Sequence, residues 1–194
     1  MGMLGDIYQI IKDLWGRWEN KPLPEIPQSI YLTRTEIDWT PYNKRANNMG
    51  LYWVCGISLI EVAQNTLDLL ISKGVGDMKI ILPNTEKGSL SYGQLADFDN
   101  NGFLVDKQIE LAERAYERIG KTLKNRQKAP HEHLRRYSDI MYSNITIYGE
   151  NAFISFYDNG GVGDENITLR FHGSRTKGYR RVRALFEKMW RNSE

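Results

Sequence analysis

Apolar residues recur along this chain in two rhythms, and the switches between them predict its elements. Ile7, Ile10, Ile11, Leu14 and Trp18 recur every three to four residues, which predicts an amphipathic helix over residues 1–20. Lys21-Pro22-Leu23-Pro24-Glu25-Ile26-Pro27 cannot extend that helix, because proline lacks an amide proton and clashes with the preceding turn, so residues 21–28 read as a stiff linker. Residues 29–35 are β-branched and aromatic enough for a strand. Residues 47–59 contain a continuous apolar run, typical of a strand buried on both faces of a sheet. Ser58 and Glu61 then have the spacing of a capping box, with Ile60, Ala63, Leu67, Leu70 and Ile71 at helical intervals and Lys73-Gly74 as a stop. Residues 77–83 form the next buried strand. Strand, helix, strand in that order predicts a parallel pair joined by a crossover.

The polar, glycine-bearing stretch from Asn84 to Gly102 reads as a loop. A helix is expected over residues 105–128, where Ile109, Ala112, Tyr116, Ile119 and Leu123 make one apolar face. Residues 134–137 and 166–171 read as strands. Residues 142–148 and 152–157 form a hairpin around Gly149, Glu150 and Asn151. A closing helix turns Val182, Leu185, Phe186, Met189 and Trp190 inward. The expected fold is α/β: a mixed, largely parallel central sheet flanked by helices, in one domain over residues 29–194.

Charge adds an asymmetry that the apolar pattern does not show. Net charge is +2, but residues 1–120 hold twelve basic and sixteen acidic side chains, against fourteen and eight in residues 121–194. A phosphate-bearing partner would meet the basic end. Arg175, Lys177, Arg180, Arg181 and Arg183 cluster at the start of the closing helix, either as an anion site with Gly173 and Ser174 or as a solvated face. No apolar run reaches the roughly 20 residues that span a bilayer, so no membrane span is expected, and a cytoplasmic location is the default. A single cysteine, Cys55, forbids an intrachain disulfide and reads as a packing residue.

Three histidines and one acidic loop are the candidates for chemistry. His131 and His133 alternate on an extended segment, which turns them to opposite sides and suits no single metal ion. His172 stands where a strand meets a basic loop and is a candidate anion ligand or general acid. Asp97, Asp99 and Asn101 occupy the first, third and fifth places of a calcium-loop pattern, but its twelfth place holds Gln108, which has no carboxylate. An Asx-rich turn leading into a helix accounts for the same residues. No cofactor is expected. Nucleic acid is not the expected partner either, since no aromatic-basic platform or known DNA-reading motif is present.

The order of elements resembles a single phospholipase D-like domain. The resemblance rests on Thr33-Arg34-Thr35-Glu36 after the first strand, Gly56-Ile57-Ser58 before a helix, Gly74 before Lys79-Ile80-Ile81-Leu82-Pro83, then the hairpin and Phe186-x-x-x-Trp190-x-x-Ser193. Members of that superfamily carry His-x-Lys on the hairpin and attack a phosphodiester with the histidine. Here Tyr142, Ser143 and Asn144 stand in those places, and no His-x-Lys occurs anywhere in the chain. The resemblance therefore implies a catalytically degenerate domain that senses a phosphorylated small molecule or nucleotide in bacterial regulation or defence, with Arg34, Ser58, Tyr142, Asn144, His172 and Arg175 lining the pocket. It also implies a homodimer, since such domains work in pairs. Two alternatives stand beside this: a phosphodiesterase or nuclease using His172 or another non-canonical nucleophile, and a dimeric scaffold whose N-terminal helix recruits a protein partner.

Overall fold

The computed structural model describes residues 27–39, 50–100, 107–157 and 166–194, so the predicted N-terminal helix and all but the end of the linker lie outside the described residues. Ser29–Tyr31 (β1), Leu51–Cys55 (β2), Asp77–Pro83 (β3), Leu134–Tyr137 (β4), Ser143–Tyr148 (β5), Asn151–Phe156 (β6) and Thr168–His172 (β7) form one sheet, in the order β1-β7-β6-β5-β2-β3-β4. The expected parallel pair is present, with Trp53 opposite Lys79 and Cys55 opposite Ile81. The sheet is mixed as expected, but its balance is reversed. Only β2–β3 and β3–β4 are parallel, and the other four pairings are antiparallel. The reason is connectivity, because β5 and β6 are joined by a tight turn that must reverse the chain, and β5 then docks antiparallel on β2. That turn is the two-residue loop Gly149-Glu150, with Gly149 at φ 50°, while Asn151 joins the strand opposite Tyr148.

Among the described residues five α-helices flank the sheet: Leu67–Ser72 (α1), preceded by a π-helical turn at Val62–Thr66, then Leu90–Asn100 (α2), Gln108–Asn125 (α3), Pro130–His133 (α4) and Lys177–Arg191 (α5). One sheet face packs Tyr52, Val54, Met78, Ile80 and Leu82 against Leu67, Leu70, Ile119 and Leu123. The other packs Trp53, Cys55, Ile81, Ile145 and Ile147 against Tyr179, Val182, Phe186 and Met189 of α5. Burying each such large apolar side chain contributes about 1.5–3 kcal/mol. The two cores explain why β2, and β3 from Ile80 onward, carry no polar alternation: both faces are covered there. The sheet's β4 edge is closed by the chain's own end, where the amide of Glu194 donates to the carbonyl of Arg136 at 2.9 Å and the amide of Arg136 donates back at 2.6 Å.

Several expectations change. Helix α2 occupies the stretch that reads as a loop, anchored by fully buried Leu95, with Ser89 accepting from the amide of Tyr92 at 3.1 Å. Asp97 and Asp99 are therefore helical and do not line a calcium loop, Asn101 lies outside the described residues, and no metal-binding cluster occurs among the described residues. Asp99 instead accepts from the amides of Gln108 at 2.5 Å and Ile109 at 3.5 Å, capping the start of α3. Helical backbone after β2 begins at Ile60, and Leu59 just before it has φ 45°, so the Ser58 capping box does not form. On α5, Leu185 faces outward at 41% exposure while its four companions turn inward. Gln28, the end of the linker, joins the sheet, its amide donating to the carbonyl of Arg170 at 3.0 Å.

Candidate functional site

Strands β2 and β3 run the same way, so their carboxyl ends and the turns beyond them form one rim, which is where ligands meet open α/β sheets. Gly56, Ile57 and Ser58 leave β2 there, and the antiparallel partners bring Tyr142, Asn144, Ser155 and Thr168 to the same end: Cys55 faces Ile145, Asn144 faces Ser155, and Ser155 faces Thr168. Side chains alternate along a strand, so Asn144, Thr146 and Tyr148 share one sheet face with Phe153, Ser155 and Thr168 of the neighbouring strands.

This face carries a buried polar array. Ser155 and Thr168 share a hydroxyl hydrogen bond at 2.6 Å, Thr146 donates to the Asn144 Oδ1 at 3.5 Å, and the amide of Ile57 donates to the Tyr157 hydroxyl at 3.0 Å. Asn144 is 7% exposed and Thr168 1%, so the array survives burial only because its members satisfy one another. Gly56 lets the array close up: a Cβ there would meet the Asn144 Nδ2 and a Leu59 methyl carbon, each at 2.8 Å. Leu59, at positive φ, and the π-helical turn that follows mark the same corner as backbone held off its usual course.

The titratable groups set along these strands are held neutral, Cys55 and Tyr157 at the rim and Tyr52 and Tyr148 at the opposite end. Burial pushes the Cys55 thiol up to about 12 and the Tyr148 phenol up to about 12. It raises Tyr157 and Tyr52 as well, with the Asn144 side chain beside the Tyr157 hydroxyl pulling the other way. Among the described residues, Arg34 is the one cation whose charge reaches all four, lowering each against burial. It lies over the Trp39 ring at 5.4 Å, and Trp39 in turn packs on Phe153 at 5.0 Å, on the polar face.

The six residues expected to form one pocket do not converge. Ser58, Tyr142 and Asn144 share the rim, and Arg34 stands over the same face. His172 is at the opposite end of the sheet, paired with Asn151 beside the hairpin turn, four residues along β7 from Thr168 and thus about 13 Å away. Its ring nitrogen Nδ1 lies 3.0 Å from the Asn151 Oδ1, which also accepts from Arg170 at 3.1 Å. Arg175 follows it into the loop before α5 and is exposed. His133 is equally remote, its Nδ1 within 2.9 Å of the Met78 carbonyl at the start of β3. Ser155, Tyr157 and Thr168 are the rim residues that the sequence does not single out. Their only signal is polar side chains at even spacing on strands otherwise apolar.

Away from the rim, a cleft of about 930 Å³ between α2 and α3 is lined by Thr85, Tyr92, Asp99, Lys107, Glu110 and Glu113. Its carboxylates outnumber its one lysine, which disfavours a phosphate. Arg136 clamps Glu113 with two hydrogen bonds, at 2.7 and 3.0 Å, and lies 4.0 Å over the Tyr116 ring. Hydrogen bonding from Arg136, then from Thr85, holds the Glu113 carboxyl below its ordinary value. A depressed carboxyl stabilises the fold above its unfolded value of about 4.3, and that contribution is lost as pH falls through the lower folded value. With Glu113 40% exposed, screening keeps it under about 1 kcal/mol. The expected result is a stability difference between the protein and its Glu113→Gln variant that is constant above about pH 5 and shrinks below about pH 4.3, read by urea unfolding across pH.

No family model matches the chain, and no curated protein matches it. Among solved structures it is similar to the archaeal chromatin protein TrmBL2, whose structure shows a novel mode of DNA binding, at 12% identity and a TM-score of 0.44 over 98% of this chain and 61% of that one. The chain thus spans about three-fifths of that protein's length. It is also similar to a phospholipase D family member, Nuc from Salmonella typhimurium, at 10% identity and a TM-score of 0.49 over 86% of this chain and 96% of that one. Likeness at this level leaves function to the chain's own residues.

Proposed function

We propose that the rim at the carboxyl ends of β2 and β3 is a non-catalytic binding site for a phosphorylated small molecule or nucleotide, in a degenerate phospholipase D-like domain. The observation that carries this is the rim's chemistry. It is rich in hydrogen-bonding groups, with Arg34 nearby, yet among the described residues it holds none that takes or gives a proton near neutral pH. The Cys55 thiol, at about 12, stays protonated, as does the raised Tyr157 phenol. Neutral donors plus one guanidinium recognise a phosphate without attacking it. Pairing of two such domains across exposed Tyr142 and Phe156 belongs to the same proposal, since these side chains are 72% and 41% exposed at the rim.

Isothermal titration against a panel of nucleotides and sugar phosphates tests the reading. Heat from at least one compound is expected, with Asn144→Ala weakening it at least tenfold, about 1.4 kcal/mol. No heat across the panel counts against the site. Turnover of bis(p-nitrophenyl) phosphate that His172→Ala abolishes would replace the proposal with an enzymatic one.

A further inference from the structure

Helix α5 buries one side and charges the other. Tyr179, Val182, Phe186 and Met189 are consumed by the core, and the outward arc carries Lys177, Arg180, Arg181, Lys188 and Arg191 around the small Ala184. Its only acid, Glu187, is at the margin of that arc and already accepts from Arg183 at 3.0 Å. Six basic residues against one acid in this helix exceed the whole chain's net charge of +2, so the positive charge is concentrated on one face and balanced elsewhere. Arg180, Lys188 and Arg191 form no ion pair among the described residues. At about 1.5 Å per residue the stripe is roughly 22 Å long.

We infer that the outer face of α5 is a docking surface for the sugar-phosphate backbone of a double-stranded nucleic acid, read without regard to sequence. The partner's class follows from what the stripe lacks. A protein partner needs a cluster of aromatic or large apolar anchors, whereas this arc has Ala184 at its centre and Leu185, 41% exposed, alone at its margin. A membrane-lying helix needs a free apolar face, and the apolar face of α5 is already used by the sheet. A regular array of charge without an apolar cluster suits a regular array of phosphates. This surface is independent of the rim site, on the opposite face of the sheet from the Asn144 array.

Fluorescence anisotropy with a labelled 30-base-pair DNA duplex tests it. Three phosphate contacts predict a log–log salt slope of about −2.7, so affinity falls about 40-fold between 50 and 200 mM salt. The triple variant Arg180→Gln, Lys188→Gln, Arg191→Gln keeps good helix formers at exposed positions and is expected to bind at least tenfold more weakly, with a slope nearer zero. A control variant with Arg118→Gln, Lys121→Gln and Lys124→Gln removes the same charge from α3 and is expected to bind as the parent does. If the triple variant does not fold, Lys188→Gln alone should still lose about threefold. Absence of salt-dependent binding overturns the inference. So does equal loss in the control, which would mean net charge alone, and so does binding to anionic phosphatidylserine vesicles without binding to the duplex.

Discussion

Phe186→Ala is expected to destabilise the fold by about 3–5 kcal/mol, lowering the melting temperature by roughly 8–16 °C for a chain of this size. Phe186 is fully buried and stacks on Trp53 with ring centroids 5.4 Å apart, at the point where α5 crosses β2. Trp53 is itself 1% exposed and donates from its indole to Asp77 at 2.9 Å, so it cannot move into the space without giving up that bond. The cavity stays open, and the cost is the lost transfer energy plus the void. Lys79 and Arg183 flank Trp53, at 3.9 and 4.9 Å from its ring, and would lose part of their support as well. Thermal unfolding followed by circular dichroism measures the shift, and a loss below about 1 kcal/mol would mean that α5 repacks freely on the sheet.

Gly56→Ala is expected to cost about 1–3 kcal/mol and to remove ligand binding at the rim together. The added methyl has no free volume: the Asn144 Nδ2 and a Leu59 methyl both lie 2.8 Å from where it would stand. Leu59 is already at positive φ, so relief falls on the Asn144 amide, which is part of the buried polar array. The distinctive outcome is the coupling. A variant that loses stability but titrates ligand as the parent does would show that the Asn144 array supports the fold and not the site.

The two predictions draw on different amounts of sequence information. The apolar face of α5 is legible from spacing alone at Val182, Phe186 and Met189, and only Leu185 departs from it. The hairpin is legible because apolar strands flank a glycine-led turn. Helix α2 is not legible, since a single buried apolar anchor, Leu95, leaves almost no amphipathic signal in Leu90–Asn100. The rim is half legible: Ser58, Asn144 and Tyr142 follow from the order of the elements, but Ser155, Tyr157 and Thr168 join them only through strand register. His172 fails as a rim residue for the same reason. Its neighbours in the sequence say nothing about which end of the sheet β7 brings it to.

The chain by itself determined most of the elements, though not α2, together with the two-sided burial of β2 and β3, the absence of His-x-Lys and the basic character of the closing helix. All of these depend on residue type and short spacing, which are local properties. Tertiary structure decided that the sheet is mainly antiparallel, that the six expected pocket residues divide between its two ends, and that the charge of α5 points outward as one stripe. Those outcomes depend on which distant segments pair and in what register. A strand's alternation is satisfied in either direction and beside several partners, so only packing the whole chain selects among them.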